Sequence, residues 1–279
     1  MNIVIIGTGY VGLVTGVGLA SLGNFVNFID LDENKIKDLS SKKITFYEPG
    51  LEEYFNDDAT FKRMSFSSDY ASIEWDNIDI VFVCVQTPNN IETNSVDTKF
   101  LESAIKEINN VNNNDLVITV KSTIPPYEIE KVCEKVGMDS SKLTFNPEFL
   151  REGTAVEDFF KPDRIVLGGT DTEKLTKLKE LYSGFDCEII TTDSISSQLI
   201  KYLANTYLPL RLSFVNEATR LIDYSGGNLD DVLKGVGLDK RIGQHYFRPS
   251  PSWGGSCFPK DLVEVNNFYD KDKLNLPLI

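Results

Sequence analysis

The chain has 279 residues, 41% of them hydrophobic and 11% aromatic, with a formal net charge of -14. That length accommodates two domains with separate cores, and the composition is that of an ordinary globular protein. The acidic balance argues against a nucleic-acid partner, which needs clustered Lys and Arg, and no apolar run approaches the roughly 20 residues of a membrane span. Met1 leads straight into a strand-like stretch with no signal peptide, so a cytoplasmic location is expected. Cys84, Cys133, Cys187 and Cys257 are scattered with no CxxC pair, and His245 is the single histidine. Neither a disulfide framework nor a metal site is expected from that pattern.

Asn2-Ile3-Val4-Ile5-Ile6 is a short apolar run of the kind that forms a buried parallel strand. Gly7-Thr8-Gly9-Tyr10-Val11-Gly12 follows, then a helical pattern to Leu22 that stops at Gly23. A second strand over Phe25–Ile29 ends at Asp30, 18 residues beyond Gly12. A GxGxxG turn between strand and helix, with an acid closing the next strand, is the pattern of a dinucleotide site. Gly7 permits the tight turn, Gly9 lets a pyrophosphate approach, and Gly12 allows close helix–strand packing. The helix N-terminus then faces the phosphates. Asp30 accepts hydrogen bonds from the adenosine ribose and repels a 2′-phosphate, which favours NAD over NADP. Further strands at 79–85 and 116–120 end in Gln86-Thr87-Pro88 and Lys121-Ser122-Thr123. These loops should face the cofactor, because ligands lie beyond the carboxyl ends of parallel strands. Residues 89–95 and 109–115 read as polar surface connections, and Cys84 as core.

Asn146-Pro147-Glu148-Phe149-Leu150-Arg151-Glu152-Gly153 carries two acids four apart, which a helical turn places on one face. Such a pair either orients a water or sugar hydroxyl, or braces Arg151 at the surface. Residues 163–168 read as the last strand of the sheet, covered by a helix over 172–182. The expected fold is α/β: a Rossmann-like, doubly wound parallel sheet over residues 1–193, followed by a long central helix and a small all-α domain over 194–279. The helix spans about 194–225, and Pro209 predicts a kink or break near Leu208. Lys201 and Asn205 share one of its faces. Lys201 is either a buried base or oxyanion stabiliser, or a snorkelling surface lysine.

Gly254-Gly255-Ser256-Cys257-Phe258-Pro259-Lys260-Asp261 places a thiol, an amine and a carboxylate within five residues. Two glycines allow close approach of a ligand, and the neighbouring charges can activate a thiolate nucleophile. The alternative is a tight turn around a buried cysteine with a solvated Lys-Asp pair.

With these segments in view, the chain resembles the UDP-glucose/GDP-mannose dehydrogenase family of nucleotide-sugar dehydrogenases. The matching motifs are GTGYVG (7–12), KSTIP (121–125), NPEFLREG (146–153), KYLANTYLPLRLSFVNE (201–217), DKRIG (239–243) and GGSCFPKD (254–261). The resemblance implies an NAD-dependent, four-electron oxidation of a sugar C6 alcohol, UDP-glucose giving UDP-glucuronate. Cys257 is then the nucleophile, passing through a thiohemiacetal and a thioester. Lys201 and Asn205 stabilise oxygen charge at C6, Asp261 assists proton transfer with Lys201, and Glu152 positions the hydrolytic water. Thr123 and Lys260 sit at the nicotinamide end, with Val11, Asp30 and Lys35 at the adenosine end; Thr87 and Glu152 are also expected at the cofactor. Glu148, Phe149, Leu150, Arg151 and Glu152, then Tyr246, Phe247, Arg248, Pro249 and Ser250, and finally Gly254, correspond to substrate-contacting segments. Arg241 corresponds to an arginine supplied across a homodimer interface built on the long helix.

Two departures accompany the resemblance. The family's Thr-Pro-Thr is Thr87-Pro88-Asn89 here, which alters that cofactor contact. Family members also continue into a domain that grips UDP, whereas this chain stops at Ile279; the expectation is that it binds NAD well and a UDP-sugar poorly. Alternatives within the family are UDP-N-acetylmannosamine, UDP-N-acetylglucosamine or GDP-mannose as substrate. Outside it stand a dimeric NAD-binding fragment without turnover, and an ordinary two-electron dehydrogenase, which needs no Cys257.

Overall fold

The computed structural model describes residues 1–90, 95–111, 116–251, 254 and 257–267. The chain opens with β1 (Asn2–Ile6), α1 (Tyr10–Ser21), β2 (Phe25–Ile29), α2 (Glu33–Ser40), α3 (Leu51–Asn56), α4 (Asp58–Phe61) and β3 (Met64–Ser67). Next come β4 (Ile80–Val83), a short paired ladder of β5 (Asn89–Asn90) and β6 (Ser95–Val96), α5 (Lys99–Asn109), β7 (Val117–Val120) and α6 (Pro126–Val136). The remainder is β8 (Leu143–Phe145), α7 (Ala155–Phe160), β9 (Arg164–Gly168), α8 (Thr172–Leu181), β10 (Glu188–Thr192), α9 (Ser194–Ser225), α10 (Leu229–Gly237) and α11 (Phe258–Asn267). Two compact units result: Met1–Pro88 with Val96–Lys201, and Asn89–Ser95 with Tyr202–Ile279.

The first unit is a Rossmann-like α/β layer structure around an eight-stranded sheet of order β10-β9-β8-β7-β4-β1-β2-β3. Its apolar strands are buried on both faces. Along β1, Ile3 and Ile5 enter the core shared with α1 and α3, while Val4 and Ile6 enter the core shared with α5 and α6. β4 repeats the alternation with Ile80 and Phe82 on one side and Val81 and Val83 on the other. Period-two alternation with no polar face is what helices on both sides of a parallel sheet demand.

Three expectations need correction. The strand at 164–168 is not the last: β10 pairs beside it in parallel, and β8 meets β9 antiparallel through Phe145 and Gly168. The 89–95 connection is not wholly irregular, because its described ends form the β5–β6 ladder; the polar stretch at 112–115 lies outside the described residues. Finally, α9 runs through Pro209 without a break over 32 residues. Proline lacks the N–H that bonds four residues back, so the carbonyl of Asn205 loses its helical partner there while the helix continues.

The second unit has a small core of Val215 and Ile222 from α9, Leu233 from α10, and Phe247. Asn228 caps α10 by accepting from the Asp231 amide. Among the described residues, no helix is long and apolar enough to cross a membrane.

Candidate active site

The dinucleotide turn is locked by backbone geometry. Gly7 has φ +96°, and its N–H donates to the Ile29 carbonyl at 2.8 Å, tying the turn to the end of β2. A Cβ on Gly12 would lie 1.9 Å from the Gly7 carbonyl oxygen, so only glycine lets α1 start this close to β1. Gly9 precedes α1 with no side-chain cap, and the first turn holds no acidic residue. Its N–H groups are therefore unclaimed by side chains and suited to an anion. Asp30 Oδ2 accepts from the Thr8 amide at 2.8 Å and hydroxyl at 2.7 Å, and Oδ1 from the Asp32 amide at 3.0 Å. Burial pushes this carboxyl up, but those hydrogen bonds and Lys35 Nζ at 3.9 Å hold it below the usual carboxylate range. Val11 is half-buried against the core of the sheet. Residues that would hold NAD by its adenosine and phosphate ends are thus formed and oriented.

The loops after β4 and β7 are laced together. Thr87 Oγ1 donates to the Thr123 carbonyl at 2.8 Å, and Ser122 Oγ to the Val85 carbonyl at 2.7 Å. Beside them, buried Lys121 donates to Asn146 Oδ1 at 2.9 Å and to its carbonyl at 3.2 Å; Tyr182 shares the same Oδ1 at 2.7 Å. Burial lowers the Lys121 ammonium below its ordinary pKa.

The acidic segment is not a helical turn. Residues 146–151 carry no regular structure and 152–154 form a turn, so Glu148 and Glu152 do not share a helix face. Glu148 is buried; its Oε1 lies 2.8 Å from Lys201 Nζ, which also donates to the Glu148 carbonyl at 2.7 Å. Oε2 accepts from the Leu150 amide at 2.7 Å. Burial raises the Glu148 carboxyl, yet the Lys201 charge and these bonds keep it below the usual range. Lys201 is therefore a buried, ion-paired lysine and not a snorkelling one. Its Nζ also lies 5.4 Å from the Phe149 ring, which stacks on Arg164 at 3.6 Å. Leu150 packs on the core, and Arg151 is held by Asp158 through three side-chain contacts. Glu152 is exposed.

Sequence reasoning missed Glu48. It is buried, and it accepts from the amides of Gly153 at 2.9 Å and Ala155 at 2.8 Å, fixing the loop that carries Glu152 and capping α7. The hydroxyl of Tyr10 is buried beside these acids; burial, then the charges of Glu48 and Glu152, raise its pKa. A glutamate between Tyr47 and Pro49 gave no periodic signal of burial.

In the second unit, Cys257 immediately precedes α11, its carbonyl accepting from the Asp261 amide at 2.9 Å. It is exposed, whereas burial pushes the thiols of Cys84 and Cys133 up to about 12 and about 11. A thiol at a helix N-terminus is placed where the dipole favours thiolate. Asp261 is buried; Oδ2 accepts from Asn205 Nδ2 at 2.6 Å, and Oδ1 makes a charge contact with Lys260 Nζ at 2.9 Å. Lys260 also reaches Glu264 Oε1 at 3.3 Å, and Tyr202 donates to Glu264 Oε2. Asn89 Nδ2 donates weakly to the Lys260 carbonyl at 3.4 Å. Glu264 and Tyr202 were not singled out from sequence.

Tyr246 adopts φ +52°, a conformation rare for an aromatic residue, and its ring meets Phe258 edge-on at 6.5 Å. Phe247 is buried in the small core under Arg211, so its side chain is a packing element. Arg248, Pro249 and Gly254 are exposed, and the Ser250 amide donates to Asn216 Oδ1 at 3.0 Å. Arg241 is exposed and paired with Asp239 at 2.6 Å. Gly255 and Ser256 lie outside the described residues.

Comparison with known proteins identifies the family. Residues 1–186 match the NAD binding domain of the UDP-glucose/GDP-mannose dehydrogenase family, and residues 195–279 match its central domain. A UDP-glucose 6-dehydrogenase of Rickettsia felis is 38% identical over 284 residues, covering all of this chain and 63% of the relative. The structure of a UDP-glucose dehydrogenase from Pyrobaculum islandicum superposes with a TM-score of 0.89 at 35% identity, covering 99% of this chain and 65% of that one. A GDP-mannose dehydrogenase from Pseudomonas aeruginosa gives 0.79 at 28%, covering 94% and 63%. The chain thus spans somewhat under two thirds of the relatives it matches. It belongs to the UDP-glucose/GDP-mannose dehydrogenase family, and its first 186 residues are that family's NAD-binding domain.

Proposed function

We propose that this chain carries the cofactor site and the nucleophile of an NAD-dependent nucleotide-sugar 6-dehydrogenase that converts UDP-glucose to UDP-glucuronate. The observation that carries the reading is Cys257: an exposed thiol at the N-terminus of α11, one helical turn from an Asp261 carboxylate held by Asn205 and Lys260. UDP-glucose is preferred over GDP-mannose because the relatives named for the former stand at 35–38% identity and the latter at 28%.

Gly7, Gly9, Tyr10, Val11 and Gly12 form the turn against the dinucleotide phosphates, with Asp30 and Lys35 on the adenosine ribose and Thr87, Thr123, Glu152 and Lys260 toward the nicotinamide. Bound NAD supplies the hydride acceptor. Lys201 and Asn205 donate to the C6 oxygen and stabilise negative charge as it develops there. Cys257 attacks the resulting aldehyde and retains it as a thiohemiacetal, which keeps the remaining C–H in place and prevents escape. Transfer of a second hydride, which requires a second NAD as acceptor, leaves a thioester on Cys257. Glu152 orients the water that releases the carboxylate, and Asp261 passes protons from the sugar oxygen. Glu148 through Glu152, Tyr246, Arg248 through Ser250, and Gly254 line the sugar, with Phe247 anchoring that segment from the small core.

We read the molecule as a homodimer built on α9. Leu203, Tyr207, Leu210, Phe214, Leu221 and Tyr224 are all exposed and recur at intervals of three, four or seven, giving a continuous apolar stripe. Arg241, exposed on the same unit, then exchanges its Asp239 partner for the other protomer's sugar site.

The test is NADH yield with a panel of nucleotide sugars. UDP-glucose alone giving two NADH per sugar supports the reading; a different sugar giving that yield moves the substrate, and none doing so removes the activity.

A further inference from the structure

The buried residues of α11 are Asp261, Glu264 and Val265, so two of the three are acids where a docked helix ordinarily presents apolar side chains. Both acids reach α9 within the second unit. Asn205 Nδ2 donates to Asp261 Oδ2 at 2.6 Å, and the Tyr202 hydroxyl donates to Glu264 Oε2. All four side chains are buried, Tyr202 being 1%, Asn205 7%, Asp261 0% and Glu264 1% exposed. The contacts are three residues apart on each helix, roughly 4.5 Å along either axis. One contact alone leaves α11 free to swing about it, whereas two fix its direction. The Asp261 amide also donates to the Cys257 carbonyl at 2.9 Å, which closes the first turn, so the direction of α11 sets where Cys257 lies. Among the described residues, the titratable groups facing Glu264 are Tyr202 from α9 and Lys260 and Asp261 from its own helix. Tyr202 holds Glu264 in either protonation state, since a hydroxyl donates to a carboxylate and accepts from a carboxylic acid.

We propose that Tyr202 and Glu264 are positioning residues for Cys257: their contact is the second of two buried tethers that hold α11 on α9 and aim the helix end at which the thiol sits. This deepens the reading of Cys257 as the nucleophile and rests on it. The unpaired N–H groups of a first helical turn favour a thiolate placed beside them. Loosening that turn removes the stabilisation, and with it a roughly two- to five-fold share of the thiolate population at neutral pH.

Alkylation of Cys257 by iodoacetamide, followed across pH by mass spectrometry of its peptide, reads the thiolate directly. Tyr202→Phe removes the hydroxyl and little else. Its alkylation at about pH 7 falls roughly two- to five-fold, the midpoint of the pH profile moves up, and the rates converge at alkaline pH. Hydrogen exchange at the Asp261 amide quickens in the same variant. Glu264→Gln keeps an acceptor for the tyrosine, and its profile stays with the wild type. An unmoved midpoint or unchanged exchange in Tyr202→Phe overturns the proposal. So does a Glu264→Gln profile that matches Tyr202→Phe, because the charge and not the tether is then the cause. Alkylation reads the thiol whether or not the chain turns over, so the two failures separate: two NADH per sugar from Cys257→Ser overturns the nucleophile reading, while the alkylation profiles still decide the tether.

Discussion

Lys201 meets a single residue twice: its ammonium donates to the side-chain carboxylate of Glu148 at 2.8 Å and to the Glu148 backbone carbonyl at 2.7 Å. Both side chains are at least nine-tenths buried. One contact sets the charge and the other sets the position of the loop, so the start of α9, up to Lys201, and the 146–153 segment are pinned together within the first unit. Removing one member strands the other's charge, at about 3–5 kcal/mol. Lys201→Met and Glu148→Gln should each lower the unfolding free energy by an amount in that range, read from urea titration, and the double variant should lose much less than the sum. Additive losses would show that the pair is not coupled.

Asp30 carries cofactor choice. Its carboxylate is oriented by Thr8 and Asp32 before any ligand arrives. Asp30→Ala should weaken NAD binding roughly 10- to 100-fold, the worth of charged hydrogen bonds, and should raise the affinity for NADP relative to NAD. Titration with both dinucleotides decides it.

The turn itself tolerates no side chain at Gly12. Gly12→Ala drives a methyl to 1.9 Å from the Gly7 carbonyl, so α1 must move away from β1. The expected result is a loss of about 1–3 kcal/mol or more in unfolding free energy, with NAD binding abolished. An unaltered NAD affinity would mean the turn does not hold the pyrophosphate.

Stability should depend on pH with two opposite signs. Asp30 and Glu148 have folded pKa values below their ordinary 3.8 and 4.5. Their contribution is present above those ordinary values and is lost as pH falls through the folded ones. Glu264 has a folded pKa raised from 4.5 to about 7. Across that window the folded state holds the extra proton, so stability falls as pH rises from 4.5 to about 7 and is level above. The full effect is on the order of 3 kcal/mol. Glu264→Gln should flatten the fall, read from denaturant midpoints across that window.

The stripe on α9 predicts association. Phe214→Glu places a charge in its middle, and sedimentation should then show a monomer where the wild type is a dimer. A monomeric wild type would remove the homodimer from the account.

Much of this was legible in the sequence because it is local. Apolar runs named the strands β1, β2, β4 and β7; the glycine turn, its helix and Asp30 followed one another within a single βαβ unit. What escaped depends on distant partners or weak patterning. β10 has no fully buried position, so Glu188–Thr192 gave no apolar run. Glu148 and Glu152 suggested a helix by spacing, but Pro147 keeps Asn146 out of helical conformation, and the Glu148 carboxylate takes the Leu150 amide. Glu264 joins Tyr202 across 62 residues, and Glu48 joins Ala155 across 107; no window along the chain contains both ends.

The central claim is the role of Cys257, and the direct measurement is the number of NADH formed per UDP-glucose consumed, in the wild type and in Cys257→Ser. The account predicts two per sugar in the wild type, with the second oxidation lost in the variant. One NADH per sugar in the wild type, or two in Cys257→Ser, would contradict it.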